Sequence, residues 1–269
     1  MGLASPVIGI LDSGVGGLSV LREIRTVLPS AAIHYVGDSS HCPYGTKSPE
    51  EIIERVTEIA DYLLSQGAGL LVIACNSATI HAVRPLRATY RTPIVGMEPG
   101  VKPAAEKTRS GIVGVLATEA SIAGEKFHQL VDTHADGVRV ITRPCPKFVE
   151  LVEAGKLDGS EVDAAIDEAV APMLDAGADA LVLGCTHYPF LSPAIRSRIP
   201  ESVSLIDTGP AVALRVAELL PKAPDSSEEN SEIHIETTGE LSVLEELLPM
   251  LLPGVEAELT QSPLTSSKG

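Results

Sequence analysis

Residues 67–79 read GAGLLVIACNSAT, and residues 177–189 read GADALVLGCTHYP. Aligned without a gap, Gly67 falls on Gly177, Leu71 and Val72 on Leu181 and Val182, and Cys75 on Cys185. Each copy is a Gly-Ala turn, a short apolar run, then a cysteine followed by an amide or hydroxyl residue. An apolar run of that length between turn signals predicts a buried parallel strand. In open α/β sheets, ligands bind just past the carboxyl ends of the strands, where both cysteines fall. Two equivalent strands, each carrying one thiol to its functional edge, predict a site built between two related halves.

Outward from this pair the same alternation continues. Residues 7–11 read as a strand ending in DSGVGG, and a helix follows with Leu18, Leu21, Ile24 and Leu28 on one face, stopped by Pro29. Residues 33–36 are a second strand running into the loop SSHCPYGTKS, whose Ser48-Pro49-Glu50 opens a helix to Gln66. After the Cys75 strand come a helix at 79–90 and a strand at 93–97. Glu98-Pro99-Gly100 crosses to the second half, where GIVGVL at 111–116 echoes IGIL at 8–11. Strands at 138–142 and 203–207 and helices at 149–155 and 161–176 flank the Cys185 strand.

A helix at 211–220 then returns to the first half, and KAPDSSEENS at 222–231 reads as a polar linker. Residues 233–236 read as an edge strand, 241–252 as a terminal helix that Pro249 kinks or ends, and 262–269 as disordered. The expected class is α/β, with two similar doubly wound domains and the active site at their interface. Residues 1–98 with 208–269 would form the first domain and 99–207 the second.

Composition narrows the chemistry. A net charge of −16 on 269 residues opposes a phosphate-backbone or anionic-membrane partner. Apolar residues make up 44% and aromatics 3%, so the core must be aliphatic. No apolar run approaches the length that spans a bilayer, and the start MGLASPVIGILDSG lacks the basic region of a signal peptide. The expectation is a cytoplasmic protein whose Cys42, Cys75, Cys145 and Cys185 are thiols. Low aromatic content and the apolar C-terminal helix are compatible with a homodimer.

A single cysteine ending a strand is usually a small core hydrophobe. Here Asn76-Ser77 and Thr186-His187 follow the two cysteines at matched places, and backbone N–H groups at a strand-to-helix turn stabilise an anion. His187, two residues past Cys185, is placed to share its proton. Asp12-Ser13 ends the first strand at the same edge, with Asp12 also able to cap the following helix. The glycine run after Asp12 matches neither a P-loop nor a dinucleotide fingerprint. A zinc site from Cys75, His81, Cys185 and His187 lacks the usual ligand spacing. His34, His41, His128, His134 and His234 fall in no evident constellation.

DSGVGGL at 12–18, PYGTKS at 43–48, ACNSAT at 74–79 and LVLGCTHYPFL at 181–191 together resemble bacterial glutamate racemases, of the cofactor-independent amino-acid racemases. The resemblance implies two α/β domains enclosing glutamate and interconversion of its enantiomers for peptidoglycan precursors, without pyridoxal phosphate or metal. It implies that Cys75, assisted by Asp12, takes the α-proton from D-glutamate and that Cys185, assisted by His187, takes it from L-glutamate. Ser13, Tyr44, Gly45, Asn76, Ser77 and Thr186 would hold the substrate, with Asp38 and Glu153 in support. Cys42, the stretch TEAS at 118–121 and the tail beyond Lys222 depart from the family's usual pattern. An aspartate racemase, another two-cysteine isomerase of a small diacid, and a two-lobed amino-acid-binding protein are the competing readings.

Overall fold

The structure, a computed structural model, describes residues 7–220 and 232–264. The first half runs β1 (Val7–Asp12), α1 (Leu18–Val27), β2 (Ile33–Gly37), α2 (Pro49–Ser65), β3 (Ala68–Ile73), α3 (Asn76–Thr89) and β4 (Ile94–Gly96). Next come α4 (Val101–Lys107), β5 (Ile112–Ala117), α5 (Glu119–Ala123), α6 (Glu125–His134) and β6 (Arg139–Pro144). Then α7 (Pro146–Glu153), α8 (Ser160–Asp175), β7 (Ala180–Gly184), α9 (Ser192–Arg198) and β8 (Ser204–Ile206) follow. The chain closes with α10 (Gly209–Leu219), β9 (Ile233–Thr237), α11 (Leu241–Leu251) and β10 (Glu258–Gln261).

These strands form two wholly parallel sheets, in the orders β10-β9-β2-β1-β3-β4 and β6-β5-β7-β8. Four consecutive strands of the first sheet, β2-β1-β3-β4, have the same order as the whole of the second. β3 and β7 are therefore equivalent, and the two cysteines leave equivalent strand ends. Every residue of β7 is buried, and β3 is buried from Leu70 to Ile73, as covered parallel strands require.

Local signals place the helices. Ser48 Oγ accepts from Glu51 N (3.2 Å) while Glu51 Oε2 accepts from Ser48 N (2.9 Å), a reciprocal cap with Pro49 in the first turn of α2. α1 buries Leu18, Leu21 and Ile24, and α10 packs back on α1 through Val212, Ala213 and Val216. One hydrophobic cluster runs from Ile8 and Val72 in the first sheet to Leu181 and Leu183 in the second. The interface between the halves is thus core-like, and it brings the strand ends together.

Several expectations need correction. α3 starts at Asn76 rather than residue 79, because the Cys75 side chain itself caps it, accepting from Ala78 N at 3.5 Å. β9 is not an edge strand: it lies between β2 and β10, and β10 was not foreseen because it is short, partly exposed and of mixed polarity. Pro249 does not end α11, which continues to Leu251 with Leu247, Leu248 and Leu251 buried. Ser262 and Leu264 are held in place, Ser262 N donating to Thr237 O (2.8 Å) and Arg55 Nη2 to Leu264 O (2.8 Å). The linker at 222–231 and residues 265–269 lie outside the described residues. α4, α5 and α9 were missed because they are short, and α6 because it buries Phe127 alone.

Candidate active site

Cys75 and Cys185 line one cavity together with Ser13, Tyr44, Gly45, Asn76, Ser77 and His187. Its volume is about 10 Å³, room for roughly one water, so the halves are closed on each other. A larger cavity of about 710 Å³, lined by Val15, Glu153, Thr237 and Leu244 among others, contains neither cysteine.

Around Cys75 the groups come from the first half. Its Sγ donates to Ser13 Oγ at 3.7 Å. Burial pushes the thiol up to about 12, with the Asp12 carboxylate adding to the rise and the Ala78 N–H pulling against it. Backbone donors at the turn therefore do not make Cys75 a thiolate by themselves. Asp12, fully buried, accepts from Gly17 N (2.9 Å), Gly14 N (3.3 Å) and Thr186 Oγ1 (3.3 Å). Burial raises its carboxyl above the ordinary 3.8, against the pull of His187 and the Gly17 N–H. A carboxyl so raised is a better proton acceptor for a neighbouring thiol.

Around Cys185 the support is different. His187 Nδ1 lies 3.6 Å from Cys185 Sγ, and its Nε2 lies 2.7 Å from Glu153 Oε1. Burial disfavours the imidazolium, but hydrogen bonding to Cys185, Cys42 and Glu153 outweighs it and holds the His187 pKa well above its ordinary value. Burial likewise works against the Glu153 carboxylate, which His187 and the Val15 N–H (2.9 Å) nevertheless keep below the ordinary carboxylate value.

The glycine run after β1 lets these groups meet. A Cβ at Gly14 would overlap Glu153 Oε1, and one at Gly16 would overlap His187 Nδ1. Only glycine admits the second half's histidine and glutamate so close to the first half's backbone.

Asp38 and Tyr44 form a prop behind the cavity. Tyr44 donates to Asp38 Oδ2 (2.6 Å), Arg55 grips the same carboxylate through Nε and Nη2 (2.8 Å each), and Thr238 Oγ1 donates to Oδ1 (2.8 Å). Those bonds outweigh burial and lower the Asp38 pKa. Gly45 is packed on Thr118, whose side chain a Cβ at position 45 would strike. Asn76 Nδ2 donates to Met97 O (3.1 Å), and Asn76 Oδ1 is buried without a hydrogen-bond partner among the described residues.

All twelve residues picked out from the sequence gather here: eight on the cavity wall, Asp12 and Thr186 behind the cysteines, Glu153 behind His187, and Asp38 behind Tyr44. Cys42 also enters, its Sγ donating to Glu153 Oε1 at 3.6 Å, and burial pushes its thiol up to about 11. Thr118 was missed as a wall residue; its Oγ1 lies 2.9 Å from Ser77 Oγ. The echo between residues 8–11 and 113–116 carried the signal, since it aligns Ser13 with Thr118. His34 and His234, read as isolated, in fact lie against Glu236.

Two α/β sheets that each deliver one thiol to a shared, water-poor cavity define a site suited to removing and returning a proton on carbon. The chain belongs to the Asp/Glu/Hydantoin racemase family, whose profile matches residues 6–216. It is 50% identical over 254 residues to the glutamate racemase of Ectopseudomonas mendocina (strain ymp), covering 94% of this chain and 96% of that one. The glutamate racemase isoform RacE1 from Bacillus anthracis is similar in structure, with a TM-score of 0.87 at 31% identity over 97% of this chain and 98% of that one. The Escherichia coli glutamate racemase, solved in complex with L-glutamate and the activator UDP-MurNAc-ala, has a TM-score of 0.85 at 35% identity, covering 96% and 98%.

Proposed function

We propose that this chain interconverts L- and D-glutamate by two-base proton transfer between Cys75 and Cys185. The observation that carries this reading is the meeting of the two thiols, from equivalent strands of two sheets, on one cavity. In the D-to-L direction the Cys75 thiolate removes the α-proton, and Cys185 returns one to the opposite face. The reverse direction exchanges the roles. Each turnover leaves the thiol/thiolate pair reversed.

The groups behind the two thiols differ in kind, a carboxyl on one side and a carboxylate-fixed imidazole on the other. The raised Asp12 carboxyl exchanges a proton with Cys75, whose own thiol burial holds at about 12. The imidazolium of His187, fixed by Glu153, faces Cys185 and stabilises its thiolate. Asn76 Oδ1 is free to accept from the substrate ammonium, while Ser13, Ser77 and Thr118 offer hydroxyls to its carboxylates. A carbanion-like state in a closed, water-excluding site is stabilised by such fixed donors.

Glutamate does not fit a cavity of about 10 Å³, so the halves must part to admit it. The division into residues 1–98 with 208–269 and 99–207 gives the two bodies of that motion. The reaction would supply D-glutamate for peptidoglycan precursors. We place it in the cytoplasm, where its four free cysteines would stay reduced; no helix among the described residues is long and apolar enough to cross a membrane. Exposed Leu214, Val243 and Met250 offer surface for a homodimer.

The test is time-dependent loss of circular dichroism from pure D-glutamate without added cofactor, with deuterium entering Cα from D₂O. Binding of glutamate without racemisation or exchange would leave an amino-acid-binding protein.

A further inference from the structure

The pairing of β9 onto β2 builds a second cluster of ligating side chains away from the two cysteines. Register sets His34 opposite His234, and their rings stack with centroids 4.6 Å apart and planes 24° apart. Glu236, two residues along β9, stands on the same face. His34 Nε2 lies 2.8 Å, and His234 Nδ1 3.8 Å, from Glu236 Oε1. One ligand atom from each of the three lies within 4.8 Å of the other two.

Surrounding groups orient these ligands. His234 Nε2 is hydrogen-bonded to Thr260 Oγ1 at 2.7 Å, which leaves Nδ1 turned toward the carboxylate. Tyr62 donates to Glu236 Oε1 at 2.8 Å. Such outer contacts set the ring nitrogens and carboxylates of metal sites.

An independent observation concerns Glu236 itself. It is 2% exposed, and its Oε2 has no hydrogen-bond partner among the described residues, although Ser262 lies beside the carboxylate. A buried carboxylate is costly unless donors or a cation meet it, and a cation supplies the counter-charge that the neutral Tyr62 and Ser262 hydroxyls do not. The His234 side chain is 31% exposed and opens a path from solvent.

We propose that His34, His234 and Glu236 bind a divalent transition-metal ion, with Zn²⁺ the first choice. Two neutral imidazoles and one carboxylate suit Zn²⁺, and water completes the coordination. The ion takes the place of the direct His34–Glu236 contact and gives the buried carboxylate its counter-charge. It clamps β9 to β2 just before Thr237 and Thr238, the latter bonded to Asp38. Its role is structural, tying the C-terminal strands to the sheet that carries the Tyr44 prop.

The test uses chelator-treated full-length protein and Zn²⁺ alone. Cys42, Glu153 and His187 form another cluster able to take a metal, so the measurement is made in Cys42→Ser. The expected result is one Zn²⁺ per chain in that variant and a raised Tm. Adding His234→Gln, at a part-exposed position, weakens binding by at least about a hundredfold and removes the Tm shift. Glu236→Gln does the same if it folds. Co²⁺ in the site gives ligand-field bands without thiolate charge transfer. Absence of Zn²⁺ binding by the Cys42→Ser chain, or unchanged affinity after His234→Gln in a chain folded by circular dichroism, overturns the proposal.

Discussion

His187 Nε2 and Glu153 Oε1 stand 2.7 Å apart at the seam of the two halves, His187 in the loop after β7 and Glu153 at the end of α7. The same Glu153 oxygen accepts from Val15 N at 2.9 Å, in the loop after β1. One carboxylate therefore orients a second-half histidine and ties it to the first half.

Glu153→Gln should move the pH profile in a defined direction. Glu153 helps hold the His187 pKa above its ordinary value, so loss of its charge lowers that pKa. The limb of the rate profile that requires the imidazolium should shift to lower pH. It is read from initial rates with L-glutamate. An unmoved limb would separate His187 from the proton inventory.

Gly16→Ala tests the close approach. A Cβ there meets His187 Nδ1 and Thr186 Oγ1, so the imidazole must leave its place beside Cys185. Stability should fall by about 1–3 kcal/mol. The rate should fall on the order of a hundredfold, as for a displacement of about 1 Å at a reacting group. Denaturant melts and racemisation rates measured together reveal whether both effects occur.

Asp38→Asn removes a buried charge from the Arg55 grip. Breaking a pair of this kind costs about 3–5 kcal/mol. The folded pKa of Asp38 is depressed, so its contribution is fully present above the ordinary 3.8 and is lost as pH falls through the lower folded value. The wild-type chain should lose stability in that acid window, and Asp38→Asn should lack this component. KM should rise as Tyr44 loses its charged acceptor. Urea midpoints across acid pH provide the measurement.

Cys75→Ser and Cys185→Ser should each abolish racemisation yet fold, because serine is nearly isosteric and an alcohol is too weakly acidic to ionise there. With β-chloroglutamate, a single deprotonation at Cα suffices to expel chloride. Cys185→Ser should therefore release halide from the D enantiomer and Cys75→Ser from the L enantiomer. Release by both variants from the same enantiomer would refute the assignment of faces.

D-Aspartate should be a poor substrate. One methylene shorter, it leaves donors for the distal carboxylate unpaired, at a cost on the order of several kcal/mol in the transition state. Comparable kcat/KM for the two diacids would sink the glutamate reading.

The site was legible where chemistry and strand ends coincide. Cys75 and Cys185 announce themselves by matched apolar runs, and His187 by its place two residues on. The Asp38–Arg55 pair and the His34–His234–Glu236 cluster were not legible, because the packing of α2 on the sheet and the β2–β9 register create them. β10 escaped because an exposed edge strand of mixed polarity has no periodic apolar signal. The length of α3 was underestimated because a cysteine is not ordinarily counted among capping residues.

The two sheets match in strand order while the groups behind their thiols do not, and equilibrium limits what that mismatch can accomplish. Enantiomers have equal free energy in water, so for the proposed reaction the Haldane relation makes kcat/KM identical in the two directions. Asp12 on one side and His187 with Glu153 on the other can only redistribute each direction's value between turnover and saturation. A substitution on one side alone must therefore slow both directions equally at low substrate. Any directional bias it creates will emerge only as the enzyme fills.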